Sequence, residues 1–162
     1  MGIRQLNHAV LYVRDAARTA SFYEDVLGFT TVASLPGGAF LRAPESTNDH
    51  DVAFFSIGDA AGPSAAGRST VGLYHLAWEV PTLGELADLA EKLAAVGALS
   101  GASDHTVSKS LYARDPDGLE FEVCWCVPAE LVDGVEVSPR PLPLDLPREI
   151  ERFGADTPGR LA

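Results

Sequence analysis

Two histidines and one glutamate are the residues of this chain best suited to hold a metal. Leu6-Asn7-His8-Ala9-Val10 and Leu73-Tyr74-His75-Leu76-Ala77 each set a histidine in a short apolar run, seven residues ahead of a helix-capping residue, Asp15 and Thr82. Each following helix is predicted to close at a glycine, Gly28 and Gly97. A histidine duplicated in this way points to a duplicated ligand. Near the end of the repeat, Leu119, Phe121, Val123 and Trp125 alternate with Glu120, Glu122, Cys124 and Cys126. In a strand this sends the apolar set to a helix layer and Glu122 to the opposite face. Two neutral imidazoles and one carboxylate leave coordination positions open for substrate and O2, the donor set of a non-haem Fe(II) oxygenase. His8, His75 and Glu122 are therefore the candidate metal ligands. Taken singly, a strand histidine is more often just a satisfied polar residue.

These residues need strands and helices to carry them. Leu6 to Val13 reads as a strand with Leu6, His8, Val10 and Tyr12 on one face. Asp15 caps a helix to about Val26, with Ala20, Tyr23, Val26 and Leu27 at helical spacing. Strands are expected near Thr30 to Ser34, Ala39 to Ala43 and Asp51 to Ile57, followed by a linker over Ser56 to Ser69. A second strand-helix unit opens with Gly72 to Val80. Thr82 and Glu85 form a capping box there, and Leu83, Leu86, Leu89, Leu93 and Val96 make an apolar stripe. Strands around Ser108 to Ala113 and Leu119 to Val127 flank the strong turn signal Asp115-Pro116-Asp117-Gly118. Six prolines between 128 and 158 limit the tail to a short helix near Arg148 to Phe153. The tail is read as wrapping its own barrel or a partner subunit.

The 162 residues, 46% hydrophobic, suit one domain with a real core. A net charge of −11 argues against nucleic acid and against an anionic membrane surface, leaving a small molecule as the expected partner. With no long apolar run and no leader-like start, the expected location is cytoplasmic. Cys124 and Cys126, two apart on one strand face, are poorly placed to bridge each other and read as free thiols.

Taken together, Asn7-His8-Ala9, Phe22-Tyr23 with Leu27-Gly28-Phe29, Tyr74-His75-Leu76-Ala77, and Asp115-Pro116-Asp117-Gly118 followed by Phe121-Glu122-Val123 resemble the vicinal oxygen chelate superfamily. That group includes glyoxalases, extradiol dioxygenases, fosfomycin-modifying enzymes and bleomycin-binding proteins. The resemblance implies an α+β fold in which two βαβββ units, here 3–58 and 70–127, form an open mixed β-barrel around a divalent metal. Residues 1–127 would make the domain and 128–162 a C-terminal extension. The family's ligand positions match His8, His75 and Glu122.

Within the superfamily, Asn48-Asp49-His50-Asp51-Val52-Ala53-Phe54 resembles the segment of type I extradiol dioxygenases that carries their acid-base histidine, which would be His50. Tyr112, ten residues before Glu122, and His105 resemble two further active-site residues of those enzymes. The chemistry is coherent, since a catechol must lose protons to chelate Fe(II) and imidazole titrates near neutral pH. Plainer roles stay open: His50 as a turn cap beside Asp49 and Asp51, His105 as a loop residue, Tyr112 as packing.

The resemblance implies an aromatic diol and O2 as substrates, Fe(II) or alternatively Mn(II) as metal, and a homodimer. Phe54 or Trp78 would hold the aromatic ring should their faces be the reverse of the reading above. Glyoxalases draw a further ligand from the last strand of the first unit, where this chain offers Ala53, Phe54 and Phe55. A fosfomycin-type thiol transferase shares the ligand set but needs cations near the metal, for which Lys109 and Arg114 are the main candidates. A metal-free resistance protein would lack the triad. A metal-dependent isomerase is also open.

Overall fold

A computed structural model describes residues 2–67, 69–134 and 136–160. The chain divides into two compact units, Met1–Ser64 with Asp115–Gly118, and Ala65–Arg114 with Leu119–Ala162.

In unit 1, Asp15 accepts hydrogen bonds from the Ala17 and Arg18 amides and starts helix α1, Ala16–Leu27. Gly28, at φ 76°, ends it in the left-handed region where a Cβ would be strained. Around the helix run β1 (Ala9–Val13), β2 (Thr30–Leu35), β3 (Gly38–Arg42) and β4 (Val52–Ser56), in sheet order β1-β4-β3-β2. β1 lies parallel to β4, and the other neighbours are antiparallel. Tyr23, on the apolar face of α1, meets Phe54 at 4.9 Å and Phe29 at 5.4 Å between ring centres. Burial of such large side chains contributes about 1.5–3 kcal/mol each. The turn Asp115–Gly118 is held by Asp117, whose carboxylate accepts from the Arg14 guanidinium at 2.7 Å, from Arg18 at 3.0 Å and from the Thr19 hydroxyl at 3.3 Å. Burial by itself would raise this carboxyl's pKa. The hydrogen bonds from Arg14 and the charges of Arg18 and Arg14 outweigh that and hold it below the ordinary value.

Unit 2 repeats the plan. β5 (Leu76–Glu79), α2 (Leu83–Ala95), β6 (Leu99–Asp104), β7 (Ser108–Arg114) and β8 (Glu120–Cys126) give a sheet of order β5-β8-β7-β6, again with one parallel pair. The Thr82–Glu85 capping box forms as the sequence predicts. Leu83, Leu86 and Leu93 are buried, whereas Val96, expected in the same stripe, is exposed because it lies past the last helical turn. β8 shows the expected alternation, with Phe121, Val123 and Trp125 buried.

Several expectations need correction. Neither His8 nor His75 lies within a strand; each stands one residue ahead of it. The β5 partner strand begins only at Glu120, after the 115–118 turn, so residues 72–74 have no strand opposite them, and the paired ladder itself starts at Leu76 and Phe121. The residue pattern offers no strand at 99–104, although the βαβββ plan implied by the resemblance calls for one there: Leu99-Ser100-Gly101-Ala102-Ser103-Asp104 has no β-branched residue, and its strand form comes from pairing with β7. Phe54 is fully buried on the helix side, and Trp78 pairs in register with buried Val123, so neither takes the face opposite the helix.

The tail belongs to unit 2 and adds helices α3 (Ala129–Val132), not foreseen, and α4 (Leu146–Phe153), which was. Its far end covers Trp125. The indole N–H donates to the Thr157 carbonyl, the Phe153 ring lies at 5.5 Å, and a Cβ at Gly159 would come within 3.2 Å of the indole. No helix among the described residues is long and apolar enough to cross a membrane.

Candidate functional site

In unit 2 the parallel register sets Ala77 beside Glu122. The pleat then sends His75, Ala77 and Glu79 to the face away from α2, together with Glu122, Cys124 and Cys126. His75 Nε2 lies 3.0 Å from Glu122 Oε2. The other ring nitrogen, Nδ1, is buried without a hydrogen-bond partner among the described residues. Nδ1 is thus unspent on structural hydrogen bonds, and Nε2 is engaged by the carboxylate. A paired imidazole and carboxylate is a donor set that suits a divalent cation. Among the described residues no group of three His, Cys, Asp or Glu side chains could hold a metal, so this is a two-donor arrangement.

Tyr112 on β7 is the register partner of Glu122, and its ring lies 5.9 Å from that of His75. Its hydroxyl is 2.8 Å from His105 Nε2. Burial, followed by the negative charge of Glu122, raises the Tyr112 pKa. The phenol therefore stays protonated through neutral pH, able to donate a hydrogen bond. Tyr74, which the sequence reading passed over, packs on His75 at 4.6 Å. Next along β8, burial pushes the Cys124 thiol up to about 12, and burial with a hydrogen bond to Glu79 raises Cys126. Both thus stay as neutral thiols at ordinary pH.

In unit 1, His8 Nδ1 lies 2.7 Å from Asn7 Oδ1. An amide oxygen only accepts, so Nδ1 is the donor in this contact and Nε2 is left for another partner. The preceding residue thereby fixes the tautomer a metal ligand would need, a signal available in the Asn-His dipeptide and not used. The His50 ring is 4.5 Å from that of His8 and 5.3 Å from Phe40, which meets Phe55 at 5.8 Å. The turn around His50 is held by its neighbours. Asp51 accepts from the Ala43 amide, the Ser46 hydroxyl and the Asn48 amide group, and Asn48 also reaches the Asn7 carbonyl. The turn-capping part that the plainer reading gave His50 is taken by Asp51. Phe40 and Phe55 were missed, although Phe40 alternates with buried Ala39 and Leu41 along β3.

The two cations considered for an anionic substrate are engaged elsewhere. Lys109 is completely buried and pairs with Asp104 at 2.5 Å and Glu149 at 3.0 Å. Arg114 pairs loosely with Glu120 at 3.8 Å.

The family model for the Glyoxalase/Bleomycin resistance protein/Dioxygenase superfamily matches residues 5–123. Over 125 residues the chain is 38% identical to a biphenyl-2,3-diol 1,2-dioxygenase 3 of Rhodococcus globerulus, covering 74% of this chain and 62% of that protein. Over 121 residues it is 33% identical to a catechol-2,3-dioxygenase of Bacillus subtilis (strain 168), covering 73% and 40%. The match thus spans about three fifths and two fifths of these relatives. Among solved structures, the fosfomycin resistance protein FosX of Listeria monocytogenes superposes with a TM-score of 0.58 at 20% identity, covering 76% of this chain and 93% of that one. At that identity it speaks for the fold alone.

Proposed function

Because the chain belongs to the glyoxalase/bleomycin resistance protein/dioxygenase superfamily, we propose that it is an extradiol dioxygenase opening the ring of a catechol-type diol with O2. The observation that carries the reading is the juxtaposition, on one face of unit 2, of the His75–Glu122 pair with the hydrogen-bonded Tyr112–His105 pair. The first pair is the anionic and neutral donor set a metal needs, and the second joins it on the neighbouring strand, with Tyr112 directly opposite Glu122 in register.

His75 and Glu122 are proposed as metal donors in unit 2, and His8, with Nε2 left free by Asn7, as a donor in unit 1. Fe(II), or Mn(II) in its place, would supply chelation of the diol and activation of O2. The reaction keeps every atom: the O–O bond and one ring C–C bond break, and two C–O bonds form. His50 takes a diol proton and returns it later, a task its partly exposed imidazole can perform. Tyr112 donates its hydroxyl hydrogen to oxygen that gains negative charge, and His105 orients that hydroxyl. Phe40 and Phe55 beside His50 offer apolar edges suited to an aromatic ring.

The thiol-transferase reading is less well supported, since Lys109 is committed to Asp104 and Glu149 and cannot neutralise a phosphonate. The test is oxygen uptake by Fe(II)-reconstituted protein with catechol and 2,3-dihydroxybiphenyl. Uptake with a yellow ring-opened product, absent in His75→Ala, is expected. Tight metal binding with no uptake on any diol would reject the proposal.

A further inference from the structure

The hairpin turn that carries His105 is strained and is tied down by the C-terminal tail. Between β6 and β7, the Val107 amide donates to the His105 carbonyl at 2.8 Å, and Thr106 between them sits at φ 71°. This is a γ-turn of the rare positive-φ kind. Thr106 is the only non-glycine among the described residues with positive φ, and a β-branched residue there is unfavourable on its own. Something outside the turn must hold it.

Three tail contacts do so. Leu142 and Asp104 exchange two backbone hydrogen bonds of 2.8 Å, a one-pair extension of the sheet at the turn's first flank. The Ser138 amide donates to Thr106 Oγ1 at 3.3 Å, tying the strained residue itself. Glu149 on α4 pairs with buried Lys109, whose ammonium donates to Asp104 Oδ1; the same carboxylate oxygen accepts from the Thr106 amide at 2.7 Å. Strand flank, turn residue and buried charge are each fastened to a different part of the tail. At the centre of this frame stands His105, with Nε2 on the Tyr112 hydroxyl.

We propose that residues 138–149 of the tail are the positioning element of the His105–Tyr112 pair: they hold the Thr106 turn in its strained form and so fix the imidazole against the phenol. Thr106, Leu142 and Lys109 are positioning residues, not catalytic ones. The inference rests on the reading of His105 and Tyr112 as site groups for its effect on turnover, but not for its structural content.

The test uses full-length, metal-free protein labelled with 15N at its four histidines. Long-range proton–nitrogen spectra report the hydrogen-bonding state of each ring nitrogen. Thr106→Ala, which removes the Oγ1 tie, and Leu142→Pro, which removes the amide paired with Asp104, are expected to move the His105 Nε2 resonance to its unbonded position. His8 and His50 should keep theirs. Thr106→Ser, which keeps the hydroxyl, should restore the wild-type spectrum. In metal-loaded protein the first two variants should lower kcat at least tenfold with KM unchanged. An unmoved His105 resonance in folded Thr106→Ala would overturn the proposal; that variant decides the matter should Leu142→Pro fail to fold. Wild-type protein that turns over no diol would remove the dioxygenase reading and leave the spectroscopic answer standing.

Discussion

Laid side by side by register, the two units share a frame and differ in what it carries. Ala77 faces Glu122 in unit 2, and Tyr112 is the other neighbour of that glutamate. In unit 1 the same ladder reads Val10, Ala53 and Phe40. Where unit 2 has a carboxylate and a phenol, unit 1 has a methyl and a phenyl ring. Their β-hairpin turns differ likewise: Gly37, at φ 77°, relaxes the β2–β3 connection, while Thr106 strains its counterpart. One fold thus carries a histidine–carboxylate pair and a hydrogen-bonded tyrosine–histidine pair in unit 2, and the Phe40 and Phe55 rings beside His50 in unit 1. Topology explains the frame, and a few side chains explain the chemistry.

Breaking this asymmetry should have its largest effect at unit 2. Glu122→Ala or His75→Ala is expected to abolish retention of a divalent metal through gel filtration, measured by elemental analysis, since either leaves a single donor on that face. His50→Phe should retain the metal yet lose about a hundredfold or more in turnover; normal activity would remove its acid-base role. Copying unit 2 chemistry into unit 1 with Ala53→Glu places a carboxylate where the side chain is fully buried. Denaturant unfolding should show a loss of several kcal/mol, on the order expected for an unpaired buried charge.

Smaller effects concern the frame. Asp117→Asn removes a buried carboxylate that accepts from Arg14, Arg18 and Thr19, and should cost about 1.5–3 kcal/mol at neutral pH. The sign of its pH dependence follows from the lowered pKa. The stabilisation is complete above the unfolded carboxyl value of about 3.9 and disappears as pH falls through the folded value. The wild type should therefore lose stability in that acid range more steeply than Asp117→Asn. Gly28→Ala, at φ 76°, should cost about 1 kcal/mol and report only on the α1 terminus.

Much of this frame is legible in the sequence because its signals are local. Asp15, Gly28, the Thr82–Glu85 box and the alternation of Leu119 to Cys126 each act within a few residues. What escaped depends on partners far along the chain. β6 is a strand only because β7 lies beside it, and His8 falls outside β1 because the ladder with β4 begins at Ala9 and Val52. The frame around Thr106 joins residues more than thirty positions apart, a separation that no spacing pattern conveys.

The most direct test of the central claim is the fate of oxygen atoms. Fe(II)-loaded protein turning over a catechol under 18O2 should yield a ring-opened product heavier by two oxygen-18 atoms, with none formed by Glu122→Ala. Metal-loaded protein that leaves every diol intact, or a product without the label, would contradict it.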